Sequence, residues 1–299
     1  MKYTWKKLDE TPQTLKQFLK QKGLSHRILS RLKQGQGKVI VNRKKRKLDY
    51  EITTGEVTLI LPIEQSDPNV AISSKPLEII FEDSNWIVVN KPAGVNSVPG
   101  PSDRDHTMVN RIKYHLQNTG HKDLVPHVIT RLDRDTSGLM LVAKNRFAQG
   151  LINKQVEEHL IQKDYVALIQ GQAREHGFYT EALGPKPDGI GQMVQATGKN
   201  AKTEYWQLQT NEVLSVIRCR LHTGRTHQIR VHFSYHHHAL LGDELYGGLM
   251  NQGINRQALH SYHLSFIDPF QQVKKEFTIG LPQDMQNVIE ANGISVNLR

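Results

Sequence analysis

A single cysteine, Cys219, stands among 299 residues, so no internal disulfide can brace the fold and a reducing compartment suits the chain. Long apolar runs are missing too. The opening MKYTWKKLDE lacks the apolar core of a secretory leader, and no later stretch approaches the roughly 18 uninterrupted apolar residues of a membrane span. A cytoplasmic protein with no membrane partner is the expectation. There is also no GxxxxGK[ST], no strand-linked GxGxxG, no GxSxG, no paired CxxC and no EF-hand loop. Nucleotide-driven, dinucleotide-dependent, serine-hydrolase and zinc chemistries lose their usual support.

What the chain does have is positive charge, unevenly placed. The net charge is +10, and residues 1–70 hold 15 Lys and Arg against 7 Asp and Glu, so +8 sits in the first quarter. A small basic unit ahead of a larger, nearly neutral one is the pattern of a nucleic-acid grip attached to something else. A merely soluble basic surface is the plainer alternative.

Within residues 11–34, Leu15, Phe18 and Leu19 fall at helical spacing, Gly23 interrupts, and Ile28, Leu29 and Leu32 repeat the pattern after a cap at Ser25. GKVIVN (37–42) and GEVTLILP (55–62) alternate like strands, with Arg43, Lys44, Lys45, Arg46 and Lys47 between them. Polar, proline-containing residues 64–76 serve as a linker, and the second domain starts near Leu77. There, IIF and WIVV form a strand pair, and later strands are expected at 139–143, 165–169, 203–208, 215–221 and 264–267. Helices at 107–117, 146–160 and 226–235 are scattered among them. Irregular alternation of this kind indicates a mixed α+β domain, not a doubly wound sheet.

Four segments can carry chemistry. In TRLDRDTSGLMLVAKN (130–145), a charged turn runs straight into a buried-looking strand, and Asp133 lies between Arg131 and Arg134. Positive neighbours hold a carboxylate ionised, fit to act as nucleophile or base; alone, the string also reads as a capped turn with surface salt bridges. CRLHTGRTHQIRVHFSYHHH (219–238) crowds Arg225, His227, Gln228, Arg230 and His232 around a turn. Phosphates, or a carboxylate gripped by arginine's planar fork, suit these donors. No cysteine or carboxylate sits at ligand spacing within the run and HExxH is absent, so a metal site is not expected. In QKDYVALIQG (162–171), alternation places Lys163, Tyr165 and Ala167 on one strand face, leaving Tyr165 either a core aromatic or a base-stacking, proton-handling residue. GKNAKTEY (198–205) is a basic turn entering a strand.

Taken in order, these segments resemble one family, the RluA/RluD-type RNA pseudouridine synthases. NKPAGVNSVPG (90–100) is similar to its first motif and RLDRDTSGLMLVAKN (131–145) to its catalytic motif. KDYVALIQG, GKNAKTEY, LHTGRTHQIRVHF (221–233), LLGDELYGG (240–248) and LHSYHLSFIDP (259–269) follow in family order. Residues 1–70 resemble an S-four-type RNA-binding domain with its αL motif, a small α/β unit. One departure is Thr130, where many members have His; His127 lies three residues earlier.

The resemblance implies a pseudouridine synthase fold over residues 77–299, with a mixed, mainly antiparallel sheet, and isomerisation of uridine in RNA without cofactor or metal. It implies Asp133 as the catalytic carboxylate and Arg230 as its partner, with Arg225 the weaker candidate, and loss of that partner costing about 3–5 kcal/mol if the carboxylate is buried. Tyr165 would stack on the uracil and help remove the proton from carbon 5. Arg131, filling the gap left by a flipped nucleotide, and Thr136, Arg225, His227 and Gln228 would contact substrate. Arg27, Arg31, Lys33 and the five cations of 43–47 would contact phosphates. The expected partner is ribosomal RNA, with transfer RNA the alternative, and the expected state is a monomer. Two rivals come from other classes. A non-catalytic RNA binder predicts loss of the carboxylate, yet Asp133 is present; a phosphoesterase or nucleoside hydrolase needs a metal cage or positioned water, which no motif signals.

Overall fold

The structure, a computed structural model, describes residues 1–296 and 298. Near the N-terminus, strands β1 (Lys2–Lys7), β2 (Lys38–Val41), β3 (Lys44–Arg46) and β4 (Gly55–Ile60) form an antiparallel sheet in the order β1-β4-β2-β3. Helices α1 (Leu15–Gln21) and α2 (His26–Lys33) bury Leu15, Phe18, Leu19, Ile28, Leu29 and Leu32 in the same core, as their spacing predicts. Ser25 caps α2, its hydroxyl accepting the Ile28 N–H at 3.4 Å.

The cationic run differs from expectation. Its middle, Lys44–Arg46, is a strand, because Asn42 and Arg43 both adopt left-handed angles (φ 45° and 68°) and reverse the chain in two residues. The Asn42 Oδ1 accepts the Glu56 N–H at 3.0 Å and steadies that turn. The run therefore projects as a hairpin edge instead of a loop.

The second unit centres on a ten-stranded sheet. Its strands are β5 (Glu78–Glu82), β6 (Trp86–Lys91), β7 (Ser137–Ala143), β8 (Gln162–Gln170), β9 (His176–Tyr179), β12 (Thr203–Thr210), β13 (Leu214–Leu221), β14 (Leu259–Asp268) and β15 (Val273–Thr278), with a short pair at 127–128 beside β7. A separate hairpin pairs β10 (Leu183–Pro185) with β11 (Gln192–Val194). The sheet order is β9-β12-β13-β8-β14-β7-β6-β5, with β15 also on β14. Every pairing is antiparallel except β7 with β14. This is the mixed, mainly antiparallel α+β class expected.

Strand β7 is buried along its whole length because both faces are covered. Met140 and Val142 pack with Met108, Ile112 and Leu116 of α3 (Met108–Asn118), while Leu139, Leu141 and Ala143 pack with Ala148 and Ile152 of α4 (Arg146–Glu157). A strand covered on both sides reads as a continuous apolar run, not as alternation. At its start, Gly138 (φ 116°) lies so close to Ser261 of β14 that a Cβ would fall 2.3 Å from the Ser261 carbonyl oxygen. Only glycine lets the two backbones meet where the loop before β7 begins.

The two units share a seam, so residues 64–76 are not a free joint. Tyr3 of β1 stacks on Phe270 at 5.4 Å, meets Phe147 edge-on at 4.6 Å, and its hydroxyl donates to Asn145, the residue capping α4. Glu64 accepts from His127 at 2.7 Å and pairs with Arg146. Among the described residues, no helix is long and apolar enough to cross a membrane.

Candidate active site

The loop preceding β7 is held from several sides. The Ser97 hydroxyl donates to the Leu132 carbonyl at 2.7 Å and accepts the Leu132 N–H at 3.0 Å. Beneath it, fully buried Lys91 donates to the carbonyls of Pro92, Val95 and Arg134 at 2.8–2.9 Å. Burial pushes the Lys91 pKa down to about 7, against the pull of Asp135 and Asp133. Thr130, at the position where the family often has His, is buried, and its hydroxyl accepts the Leu141 N–H at 2.9 Å. The substitution is thus absorbed into the packing of β7.

This loop presents Asp133 to a cleft of about 590 Å³ whose wall includes Arg131, Thr136, Tyr165, Arg225, His227, Gln228 and Arg230. All eight residues expected to act on substrate therefore belong to the lining of one cavity. Arg230 comes from α5 (Gln228–Tyr235), and its Nη1 lies 3.3 Å from the Asp133 Oδ2. The same guanidinium is gripped bidentately by Asp243, Nε to Oδ2 at 2.7 Å and Nη2 to Oδ1 at 2.8 Å.

That second carboxylate corrects the expected electrostatics. The Asp133 side chain keeps 28% of its exposure, whereas Asp243 keeps 1% and Arg230 8%. The buried ion pair is Arg230–Asp243, and Asp133 borrows one remaining N–H from it. The expected 3–5 kcal/mol for losing the arginine then belongs mainly to Asp243.

His227 enters α5 in a left-handed conformation (φ 55°), with its Nε2 3.9 Å from Asp133. Burial lowers its pKa, Arg230 adding and Asp133 opposing, so the ring is neutral at neutral pH. The Gln192 N–H donates to the Tyr246 hydroxyl at 2.9 Å, and that hydroxyl meets His227 Nδ1 at 2.8 Å. When the tyrosine hydroxyl donates to Nδ1, the neutral ring carries its own proton on Nε2, facing the carboxylate.

Tyr165 is 4% exposed, and burial, reinforced by Asp133, raises its pKa far above the ordinary phenol value. It is both of the things weighed for it: a core residue, packed with Ala167, Ile217 and Cys219, and part of the cleft wall.

Two expected contacts turn inward. Gln228 is buried, its Oε1 accepting from Thr223 Oγ1 and the Arg225 N–H, its Nε2 donating to the Lys202 carbonyl and Thr203 Oγ1. Its amide ties the 223–228 loop together and leaves nothing for substrate. Thr136 is likewise buried and accepts from Gln257 Nε2 at 3.2 Å. The charged lining of the cleft is Arg131, Arg134, Lys163, Arg225 and Arg230, together with Asp133, the one carboxylate among its described lining residues. Among the described residues, no three His, Cys, Asp or Glu side chains are grouped to hold a metal.

Residues 85–235 match the RNA pseudouridylate synthase family. Over 280 residues the chain is 39% identical to the uncharacterized RNA pseudouridine synthase YjbO of Bacillus subtilis, covering 93% of this chain and 98% of the relative. The chain belongs to the RNA pseudouridine synthase family. It is also 39% identical over 225 residues to the ribosomal large subunit pseudouridine synthase D of Zymomonas mobilis, with 71% of each chain covered. Among solved structures, the human RNA pseudouridylate synthase domain containing 4 shares its fold, with a TM-score of 0.60, 20% identity and coverage of 71% of this chain and 92% of that one. As a pseudouridine synthase it is an isomerase acting on RNA. Its family match ends before Asp243 and Tyr246, so the two side chains that organise Arg230 and His227 lie beyond the matched segment.

The N-terminal cations lie apart from this synthase cleft. Arg27, Lys33, Arg43, Lys44, Lys45 and Lys47 are exposed, and Arg46 stacks 4.4 Å over Tyr50. Arg31 diverges from them, turning into a recess at the seam with Arg146 and Glu64.

Proposed function

We propose that this pseudouridine synthase isomerises a uridine of large-subunit ribosomal RNA. Relatives named as ribosomal large subunit pseudouridine synthase D, including that of Zymomonas mobilis, support the ribosomal choice over transfer RNA. The carrying observation is the convergence of Asp133, Arg230 and Tyr165 in a cleft whose other charged groups are cationic. Asp133 works at the sugar, as nucleophile on the anomeric carbon or as base on a sugar proton, while Arg230 aims its carboxylate.

The bond to ring nitrogen 1 breaks, the uracil turns with its face on Tyr165, and the sugar rejoins at carbon 5. The proton on carbon 5 then passes to the Asp133 carboxylate, with Tyr165 helping to remove it. A stacked uridine exposes neither side of its glycosidic bond, so the nucleotide must flip out, at a few kcal/mol. Exposed Arg131 at the cleft wall fills the gap, and Arg225 and His227 face the entering nucleotide. Residues 1–70 act as an S-four-type grip in which Arg27, Lys33 and the 43–47 hairpin contact phosphates, positioning the RNA without reading bases.

The test is pseudouridine mapping of ribosomal and transfer RNA from cells lacking this protein, rescued by wild type or by Asp133→Asn. One ribosomal site should vanish and return only with wild type. A transfer-RNA site would move the substrate, and a site restored by Asp133→Asn would end the catalytic assignment.

A further inference from the structure

The Lys163 side chain, on β8, makes no hydrogen bond and no ion pair among the described residues, although it belongs to the cleft wall. Two residues along the same strand face stands Tyr165, about 7 Å away at the usual strand rise. Beyond Lys163 the cleft deepens into a small side recess of about 40 Å³, lined by Gln155, His159, Ile161 and Thr223, with no acidic residue among its described lining. The Lys163 side chain is half-buried, and a cation partly withdrawn from water without a counter-charge carries a cost. Proteins tolerate such a group chiefly where a ligand completes it.

We propose that Lys163 and this recess form a phosphodiester subsite that holds a backbone phosphate of the RNA beside the uridine stacked on Tyr165. The proposal rests on the reading of the cleft as the uridine site. Burial alone pulls the Lys163 pKa down, and no carboxylate lies near enough to push it back. Gln155 is engaged with the Ile267 backbone and the Thr223 hydroxyl donates to Gln228, so the Lys163 ammonium is left as a donor for an anion with several oxygens. A base stacked on Tyr165 brings its own or its neighbour's phosphate within reach of the flexible lysine stem. Arg225 and Arg131 cannot substitute for it: Arg225 is tied to the Asn200 carbonyl at 2.9 Å, and Arg131 is exposed at the opening.

Two properties of the free protein separate this role from a structural one. An ammonium that contributes to folding weakens the fold when removed, whereas one waiting for a ligand burdens it. Full-length Lys163→Met should therefore unfold at the wild-type temperature or above, the trade-off common at binding sites. The same variant should bind an oligouridylate of about 12 nucleotides, a length typical of single-strand sites, more weakly. Its plot of log affinity against log salt should be shallower by about 0.7, the value for one phosphate on a single strand. Between about 50 and 200 mM salt, the gap to wild type should then narrow by about 2.5-fold. Lys163→Arg should keep most of the wild-type slope, and in pseudouridine formation Lys163→Met should raise KM with kcat little changed.

An unchanged salt slope in Lys163→Met overturns the subsite, and so does a fall in unfolding temperature with RNA affinity intact. Wild-type conversion of uridine tests the reading of the cleft separately. If wild type converts nothing while Lys163→Met still flattens the slope, the phosphate contact stands and the isomerase assignment of the cleft falls.

Discussion

The division of Arg230 between two carboxylates makes a quantitative prediction that separates stability from catalysis. Replacing Asp243 by Asn removes the charge opposite a guanidinium that is 8% exposed. Breaking a buried pair this way costs about 3–5 kcal/mol, and the remaining 3.3 Å hydrogen bond to Asp133 sets the expected value at about 3 kcal/mol. For a chain of 299 residues that corresponds to a fall in melting temperature of roughly 5 °C. Asp133→Asn should behave oppositely: the side chain is 28% exposed and Arg230 stays anchored on Asp243, so the stability change stays within about 1 kcal/mol while pseudouridine formation is abolished. The double variant Arg230→Met with Asp243→Leu should recover most of the stability lost in Asp243→Asn, because neither charge is stranded, and should remain inactive. Calorimetry of the four proteins, alongside a tritium-release or mass-spectrometric assay for pseudouridine, reads both axes. Equal destabilisation by Asp133→Asn and Asp243→Asn would refute the reasoning, since it would make Asp133 an equal member of the buried pair.

Tyr246→Phe removes the hydroxyl between the Gln192 N–H and His227 Nδ1 while keeping the ring under Arg230. Loss of one hydrogen bond of about 1 kcal/mol should slow kcat by about fivefold, and nitrogen NMR should show the His227 ring leaving its single Nε2–H tautomer; an unchanged tautomer would contradict the relay. At the seam, burial opposes ionisation of Glu64, but hydrogen bonds and charge from His127 and Arg146 outweigh it and leave its pKa below the ordinary value. A depressed carboxyl stabilises the fold above its unfolded pKa and loses that contribution as pH falls through the folded one. Below about pH 4.5, the wild type should therefore lose stability to urea faster than Glu64→Gln does, and parallel curves would show that the seam does not use this charge. Gln substitution of Arg43, Lys44, Lys45 and Lys47 should weaken RNA binding and reduce the salt slope by about 0.7–0.9 for each phosphate no longer neutralised, with thermal stability unchanged because these side chains are exposed. An unchanged slope would show that the hairpin does not hold RNA. Truncation of residues 1–70 is the poorer experiment, since it would bare Phe147, Leu151 and Phe270 at the shared core.

What could be read in the sequence follows from how far each signal reaches along the chain. Strand β7 and the turn before it were legible because a continuous apolar run after a charged turn has few other meanings, and Asp133 came with them. Helices α1 and α2 were legible from period and cap. Strand β1 was not: KYTWKK turns Tyr3, Trp5 and Lys7 toward the protein, and the last of these is a buried lysine that reaches Asp9, so the alternation looks polar. Strand β15 escaped because its half-buried, charge-rich pattern resembles an exposed segment, and helix α6 (Gln283–Ala291) because its buried face is only Met285, Val288 and Ile289 in a short polar stretch. Within the site, collinear motifs brought eight residues to one cleft but did not say which way each side chain points. Gln228 sits in the same string as Arg230, yet the first turn of α5 directs its amide into the loop and the arginine into the cavity.

Asp243 shows where pattern reading ends. It lies 13 residues after Arg230 in a glycine-rich turn, and nothing local marks it as a partner. Its role arises from the path of the chain: the Gly242 backbone (φ 72°) passes so near Arg256 that a Cβ would lie 2.2 Å from the Arg256 carbonyl oxygen. Arg256 in turn donates to the Asp135 carbonyl in the catalytic loop at 3.1 Å. The turn that supplies Asp243 is therefore braced against the loop that supplies Asp133, and Arg230 spans the two. A shift of either segment changes how one guanidinium is shared between a structural carboxylate and a catalytic one. Side chains at Gly242 should consequently impair catalysis through Asp133 without touching the cleft, and Gly242→Ala should lower kcat more than it changes RNA affinity. Equal loss of both would place the damage in the cleft wall and not in the sharing of Arg230.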